Sequence, residues 1–274
     1  MNHYIIRYGE IALKGKNRGH FENKLVSNIA VYVRLRYGAE SSITKIRGRL
    51  ILAIEADVDL RPIFGLVSYS KAIKVEKDIG VIKQRALEEF AKISSSATFR
   101  VETHRLDKSF PLKSPEISRD VGEVIFEKYK TEVDFKNPAV VLGVEIHNKT
   151  AFIYTKTVRC FGGLPLGSSE KILVPLGNNR SLLTALNLMR RGCLITFIGD
   201  KKELPLIKLF NSYKDPIIIK EYKTLNEKIK AYASPNEISN LDKDEDFLML
   251  HPIVLLSDKE VEEDLKKYEE MQKL

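Results

Sequence analysis

The segment at residues 99–125 constrains the fold more than any other part of the chain. It begins as a strand-like alternation, with Phe99, Val101 and Thr103 on one face. A polar bend follows. Ser114 is then predicted to cap a helix that has proline at its first position and apolar residues along one face. A strand, a basic bend and a helix in succession predict an α/β unit whose bend carries cations that can bind phosphate groups.

Three motifs narrow the class of protein. The sequence SFPLKS at residues 109–114 resembles the THUMP domain, an RNA-binding module of tRNA-modifying enzymes. Residues 7–21 read RYGEIALKGKNRGHF, and residues 162–171 read GGLPLGSSEK. Together the motifs resemble the tRNA 4-thiouridine sulfurtransferases (the ThiI family) over roughly residues 3–195. The resemblance implies a tRNA-binding protein whose active relatives adenylate a uridine carbonyl and then transfer sulfur from a cysteine persulfide.

We expect an α/β chain with an α+β N-terminal part. The expected domains are a ferredoxin-like N-terminal domain at residues 1–75, a THUMP RNA-binding domain at 76–160, and a shortened, degenerate PP-loop-like α/β domain at 161–274. The periodicity predicts the β-α-β-β-α-β order of a ferredoxin-like unit in the first domain. Its six elements are predicted near residues 3–8, 20–36, 43–47, 49–55, 59–65 and 67–75.

The last domain begins with a change of pattern. Residues 172–198 read as strand, loop, helix and strand, which is the opening of a βαβ unit and predicts a parallel sheet. Further strands are predicted near residues 216–221 and 247–256, and a charged helix at 259–273. The Gly/Pro/Ser-rich segment at residues 158–169 is interpreted as a hinge that precedes this domain.

The positive charge of the chain is unevenly placed. Residues 1–167 contain 28 Lys/Arg against 19 Asp/Glu, whereas residues 168–274 contain 17 against 18, within a formal net charge of +8. A basic N-terminal part joined to a neutral part favours a polyanion such as tRNA as its partner. Solubility alone is the alternative explanation of this charge. Nucleic acid is favoured because many of the cations fall in glycine-containing loops.

The candidate tRNA-binding residues are cations and one amide in these loops and in the strand, bend and helix of residues 99–125, which would bind phosphates of the folded acceptor region. They are Lys14, Lys16, Asn17, Arg18, Arg47, Arg49, Arg100, Arg105, Lys108, Lys113 and Arg119.

A degenerate nucleotide loop is predicted at the start of the last domain. The resemblance aligns residues 176–182, LGNNRSL, with the Ser-Gly-Gly-Ile-Asp-Ser-Pro loop that binds ATP phosphates in active relatives. Gly177 and Ser181 match that loop, Asn178 and Asn179 replace other loop residues, and Arg180 stands in place of the aspartate. We therefore expect no cofactor and no catalytic or metal-binding residue in this domain.

The cysteines offer no obvious sulfur relay. Cys193 lies in a predicted apolar strand and is expected to be a small buried hydrophobe, while Cys160 is a weak candidate for a functional thiol. Two cysteines form no disulfide framework, no apolar run is long enough to span a membrane, and no signal peptide is recognised. We therefore expect a cytoplasmic protein with no membrane partner.

Three hypotheses remain open. The first is a tRNA-binding protein that has lost catalysis and acts as an accessory or tRNA-positioning factor in tRNA modification. The second is an active ATP-dependent sulfurtransferase, in 4-thiouridine or thiamine biosynthesis, that uses ATP and magnesium at an atypical loop. The third is a THUMP adaptor for another RNA-modifying enzyme. Besides tRNA, a separate modifying enzyme and a second copy of the chain are candidate partners.

Overall fold

The structure is a computed structural model that describes residues 1–46, 48–93, 97–200, 204–211, 215–220, 229, 231–236 and 248–270. The chain divides into two compact units. The first comprises Met1–Ile6, Ser42–Asp57 and Tyr69–Val158. The second comprises Arg7–Ser41, Val58–Ser68 and Arg159–Leu274.

The first unit is built on a sheet that has helices against one face. Its strands are β1 (Asn2–Arg7), β2 (Ser41–Ile46), β3 (Arg49–Ile54), β4 (Ser68–Glu76), β5 (Phe99–Arg105), β6 (Val140–Ile146), β7 (Thr150–Tyr154) and the short β8 (Val158–Arg159). The helices are α2 (Ile79–Ala91) and α3 (Ser114–Tyr129). The strand order is β2-β3-β1-β4-β7-β6-β5, so that β5 is an edge strand.

The registers fix which loops emerge together. Strands β1 and β3 are antiparallel, as are β6 and β7, whereas β5 and β6 are parallel from Phe99↔Val140 to Arg105↔Ile146. The core under α2 and α3 includes alternate residues of β5, β6 and β7, as the period of two predicts. Its β6 members are Val140, Leu142, Val144 and Ile146, all buried.

The second unit contains a five-stranded parallel sheet in the order β11-β10-β9-β12-β13. These strands are β9 (Lys171–Pro175), β10 (Leu194–Ile198), β11 (Ile217–Ile219), β12 (Ala231–Ala233) and β13 (Leu248–Leu250). The helices are α1 (Arg18–Tyr37), α4 (Asn179–Arg190), α5 (Pro205–Phe210) and α6 (Asp258–Glu269). The expected parallel sheet is thus confirmed.

The core of the second unit includes a cluster of aromatic rings. Phe161 stacks on Tyr268 of α6 with 4.4 Å between ring centroids, and Phe64 stacks on Phe210 of α5 at 5.0 Å. Tyr268, Val261 and Leu265 give α6 a buried face. Aromatic pairs at such distances add to the free energy gained by burying their surface, so the cluster anchors α5 and α6 in this core.

The predictions for residues 59–65 and for the start of α3 were wrong. Residues 59–65 form turns rather than a helix, because the Asp59 carboxylate accepts bonds from the backbone N–H and the guanidinium of Arg61. Helix α3 begins one residue early: Lys113 occupies the N-cap position, and Ser114 is the first helical residue. The Glu116 carboxylate accepts the Lys113 backbone N–H at 2.6 Å and fixes that start.

The glycine-rich segment at residues 158–169 is largely packed into the second unit. Residues 162–166 are buried, and the backbone N–H of Leu164 bonds the Arg190 carbonyl oxygen at 2.9 Å. Gly163 has φ of 81°, and a Cβ there would lie 2.2 Å from that same carbonyl oxygen. Only glycine fits such a position. This central part belongs to the core of the unit and does not form the hinge that the sequence suggested.

The predicted strand near residues 247–256 is shorter than expected. Strand β13 ends at Leu250, and residues 252–255 form turns, while residue 247 of the predicted strand lies outside the described residues. The helices of the described ranges include none that is both long and apolar enough to cross a membrane.

Candidate functional site

The basic bend between β5 and α3 is held by hydrogen bonds within the first unit. The Arg105 guanidinium donates to the carbonyl oxygens of Phe110 and Leu112, both at 3.0 Å. The Asp107 carboxylate accepts the Lys77 ammonium at 2.7 Å and both the backbone N–H and the hydroxyl of Ser109. These donors hold the pKa of Asp107 well below its usual range, the Lys77 ammonium being the largest cause. The bend is therefore shaped before any ligand binds.

Two predicted cations project from this bend. Lys108 and Lys113 are exposed, and neither ammonium is bonded to another residue in the part of the chain that the structure describes. Arg105 instead bonds the backbone of the bend. The structure thus separates the predicted cations into those that shape the bend and those that remain available to a ligand.

The turn at residues 147–149 lies beside the bend. The sequence did not predict that these two segments are neighbours. Strands β5 and β6 are parallel and end together at Arg105 and Ile146, so the segments that follow them emerge side by side. The Lys77 ammonium, which binds Asp107, also donates to the Asn148 carbonyl oxygen at 2.9 Å. The exposed Lys149 is therefore a third cation, besides Lys108 and Lys113, on the surface formed by the bend and this turn.

Arg49 has a buried partner. Its Nε lies 3.3 Å from Oε2 of Glu145, a fully buried carboxylate on β6 that also lies 3.4 Å from the buried His147 ring. Its Nη1 donates to the Gly48 carbonyl oxygen. A buried carboxylate needs such a counter-charge, so Arg49 neutralises Glu145. Arg47 lies outside the described residues.

Arg100 and Arg119 lie on either side of the same strand–helix pair. Arg100, on β5, donates to the Phe135 carbonyl oxygen at 3.0 Å and lies 3.6 Å from Glu102. Arg119, on α3, is 74% exposed and lies 3.6 Å from Asp120. Exposed pairs at this distance hold a side chain only weakly, so Arg119 can turn toward a ligand.

The predicted cations near the start of the chain belong to the second unit. The Arg18 guanidinium donates to Glu22 at 2.7 Å and to the Tyr8 hydroxyl at 2.9 Å, and that hydroxyl donates to Glu22. These bonds, chiefly the one to Glu22, raise the pKa of Arg18. The Lys14 ammonium lies 5.0 Å from the centre of the Phe21 ring, a cation–π contact. Lys16 and Asn17 are exposed on a short 3-10 helix.

The loop at the start of α4 uses one of its own side chains to bind the first N–H groups of the helix. The Oδ1 atom of Asn178 accepts the backbone N–H groups of Arg180 at 3.1 Å and of Ser181 at 3.3 Å. These are donors that a helix N-terminus can otherwise present to an anion. Asn178 is therefore an N-cap residue, and it occupies both donors.

The Arg180 side chain turns into the protein. It is only 7% exposed, and its guanidinium donates to the carbonyl oxygens of Pro235 at 2.8 Å, Leu256 at 2.9 Å and Ile253 at 3.3 Å. The exposed Asp258 carboxylate lies 3.1 Å away. Arg180 thus ties α4 to the segments that follow β12 and β13.

A cavity of about 240 Å³ lies beside this loop. Its walls are mostly apolar and include Leu176, Phe197 and Leu206, and the one ionisable side chain among its lining residues in the described ranges is the Glu269 carboxylate. A carboxylate repels phosphate groups, so the charge of this cavity disfavours the binding of a nucleoside triphosphate.

Burial suppresses the reactivity of both cysteines. Burial raises the pKa of the Cys160 thiol to about 12, with a smaller contribution from the Asp59 carboxylate. Burial also raises the pKa of the Cys193 thiol to about 11, and Cys193 is buried as predicted. Near neutral pH both remain thiols, which are poor nucleophiles. Within the described ranges, no three His, Cys, Asp or Glu side chains are grouped closely enough to hold a metal ion.

Two family models match the chain. The ThiI ferredoxin-like domain matches residues 3–70, and the THUMP domain matches residues 76–156. With the parallel sheet that follows, they define a class of protein: a mixed α/β chain with a ferredoxin-like unit, a THUMP domain and a parallel-sheet domain.

Relatives with curated names define the family. The probable tRNA sulfurtransferase of Thermoanaerobacter sp. (strain X514) is 40% identical over 195 residues, which are 69% of this chain and 50% of that protein. The probable tRNA sulfurtransferase of Methanocaldococcus jannaschii is 31% identical over 259 residues, which are 85% of this chain and 68% of that protein. The chain therefore belongs to the tRNA sulfurtransferase family, and it spans about half the length of the curated relatives that it matches at 40% identity.

Solved structures agree with this fold. A crystal structure of PH1313 from Pyrococcus horikoshii Ot3 superposes with a TM-score of 0.86 and 26% identity, covering 97% of this chain and 99% of that one. A 4-thiouridine synthetase–RNA complex with bound ATP superposes with a TM-score of 0.76 and 24% identity, covering 98% of this chain and 85% of that one.

Proposed function

We propose that this protein binds tRNA through its THUMP domain and positions it for modification, without ATP chemistry of its own. It acts as an accessory factor in tRNA modification, and the enzyme that it serves is a separate protein. No cofactor is required for this role.

The basic bend and its neighbouring turn support tRNA binding. Lys108, Lys113 and Lys149 carry three ammonium groups that have no partner among the described residues, near a bend that is already shaped by Arg105 and Asp107. Preorganised cations bind a phosphate backbone with little loss of conformational entropy. The curated relatives are named probable tRNA sulfurtransferases, and this name supports tRNA as the polyanion that the chain binds.

The inward turn of Arg180 is the observation that best supports the proposed loss of ATP chemistry. The guanidinium is committed to three backbone carbonyl oxygens, and Asn178 occupies two helix N–H groups at the same loop. The nearby cavity presents the Glu269 carboxylate. The phosphate groups of a nucleoside triphosphate need free N–H donors and cations to bind them. The chemistry of the described residues of this loop therefore argues against a site for ATP and magnesium.

Titration of the purified protein with folded tRNA, over a series of salt concentrations, tests the proposal. We expect affinity to fall steeply with salt and to be the same with and without ATP and magnesium. A tRNA affinity that changes with ATP, or thiouridine formed when ATP and a sulfur donor are added, would restore the active sulfurtransferase. Absence of tRNA binding at low salt would overturn the proposal altogether.

A further inference from the structure

An apolar groove lies beside the edge strand of the first unit. It has a volume of about 500 Å³ and runs between β5, α3 and the segment at residues 133–135. Three of its lining residues have large apolar side chains that are unusually exposed: Phe126 is 47% exposed, Val133 37% and Phe135 75%. Clustered exposed apolar side chains of this kind mark interaction sites.

The edge of β5 beside this groove has open backbone groups. Phe99 donates its N–H to the Glu132 carbonyl oxygen and accepts the Asp134 N–H, so its backbone groups point away from β6. In a regular parallel ladder the same holds for every second residue, and the register with β6 is regular. The N–H and carbonyl groups of Val101 and Thr103 therefore face outward. The Phe99↔Val133 bridge shows that this edge already accepts a parallel segment.

Gly122 keeps the groove open. It lies inside α3, its φ is not in the left-handed region, and a Cβ added there would meet only Val101 Cγ2, at an ordinary 3.9 Å. Neither backbone geometry nor packing thus requires glycine, although glycine weakens a helix interior. A larger side chain at this position would project into the groove and occupy the space that a ligand needs.

We infer that this groove binds a short extended peptide of a partner protein, which adds a strand to β5 and places apolar side chains against α3. The charge of the groove favours a peptide over RNA, because Arg119 and Glu123 are the two charged side chains among its lining residues and they offset each other. Among the described residues, Val101 and Thr103 are the part of this edge without a strand partner, a length that suits a short peptide and not the roughly 1,200–2,000 Å² that a stable interface between two copies of the chain buries. The inference goes beyond the proposed function and does not depend on tRNA binding.

The probe is the blocked peptide acetyl-Lys-Val-Thr-Val-Thr-Val-Lys-amide, titrated into the full isotope-labelled chain and followed by NMR. We expect the Val101 and Thr103 amide signals to shift, and their hydrogen exchange to slow by about tenfold at saturation. The same peptide N-methylated at its five central amides keeps its apolar side chains but cannot pair with the edge. It should leave both amides unchanged.

Variants of the groove complete the test. Gly122→Leu fills the groove and should abolish the response, while Gly122→Ala should only weaken it. Phe135→Ala removes an exposed wall without touching the core, and it keeps the test decisive if the leucine variant fails to fold. Val81→Ala removes another exposed apolar side chain, on α2 and outside the groove, and should change nothing. The inference is wrong if the N-methylated peptide binds equally well, if the wall variants respond like wild type, or if a six-residue oligoadenylate shifts these amides and the peptide does not.

Discussion

Replacing Arg180 with methionine removes a buried guanidinium and leaves the carbonyl oxygens of Pro235, Ile253 and Leu256 without that donor. Methionine keeps most of the volume, so the change reports on the removed hydrogen bonds and not on a large cavity. We expect the free energy of unfolding of the second unit to fall by about 3 kcal/mol, measured by chemical denaturation.

The matched control for this change is Arg34→Met, since Arg34 is an exposed arginine on α1 of the same unit. Its stability should stay within about 0.5 kcal/mol of wild type. Equal, small effects of the two changes would show that the Arg180 bonds contribute little. A further variant, Arg180→Asp, should lose stability and gain no ATP binding, because Asn178 still caps the helix.

The two cysteines should resist alkylation near neutral pH. In the folded chain burial raises the pKa values of Cys160 and Cys193 to about 12 and about 11, so very little thiolate exists at pH 8. An unfolded cysteine has a pKa of about 8.5. We expect iodoacetamide to react at pH 8 at least about a hundredfold more slowly with the folded protein than with the protein in denaturant. Rapid labelling of either residue in the folded chain would contradict the burial that we describe.

The same shifts predict how stability depends on pH. Folding favours the protonated thiol, so its contribution is fully present below the unfolded pKa of about 8.5 and is lost as pH rises toward the folded values. Each thiol can lower the free energy of unfolding by up to about 1.4 kcal/mol per pH unit in that window. The variant Cys160→Ala/Cys193→Ala should show a flatter decline above pH 9, which separates the thiols from lysines and tyrosines that titrate nearby.

At the scale of the element, the bend between β5 and α3 tests whether shape or charge governs tRNA binding. Asp107→Ala removes a negative charge, which by charge alone should tighten binding. It also removes the acceptor of Lys77 and Ser109. We expect tRNA affinity to fall by about threefold, because the bend then loses its preorganised shape.

The control is Glu127→Ala, which removes one exposed negative charge from α3 and leaves the bend intact. Its tRNA affinity should equal or exceed that of wild type. If both variants bind tRNA more tightly than wild type, charge dominates and the bonds of Asp107 have no role in binding.

Periodicity predicted most of the helices and strands, because the residues that are buried on one face of an element recur at a fixed spacing in the sequence. The alternation in β6 and the apolar spacing in α3 each correspond to a buried face in the structure. The inward turn of Arg180 was not predictable, because its acceptors lie 55 to 76 residues away. Lys149 was missed for a related reason, since only the pairing of β5 with β6 brings its turn beside the bend.

At the scale of the whole molecule, the uneven charge raises the question of whether tRNA affinity depends on net charge or on particular lysines. The excess of cations lies in residues 1–167, whereas residues 168–274 are nearly neutral. A general field would make all exposed lysines roughly equivalent at low salt, whereas direct bonds to phosphates would make a few of them matter.

Two triple variants with the same charge change separate these explanations. One replaces Lys108, Lys113 and Lys149 with alanine, and the other replaces Lys220, Lys259 and Lys266, all six being exposed. Removing one lysine that binds a phosphate should flatten the slope of log affinity against log salt by about 0.7 to 0.9. We therefore expect a clearly flatter slope and weaker tRNA binding from the first variant, and a slope equal to wild type from the second. Equal reductions in affinity from both would show that net charge alone attracts the tRNA, and the bend would then have no special part in its recognition.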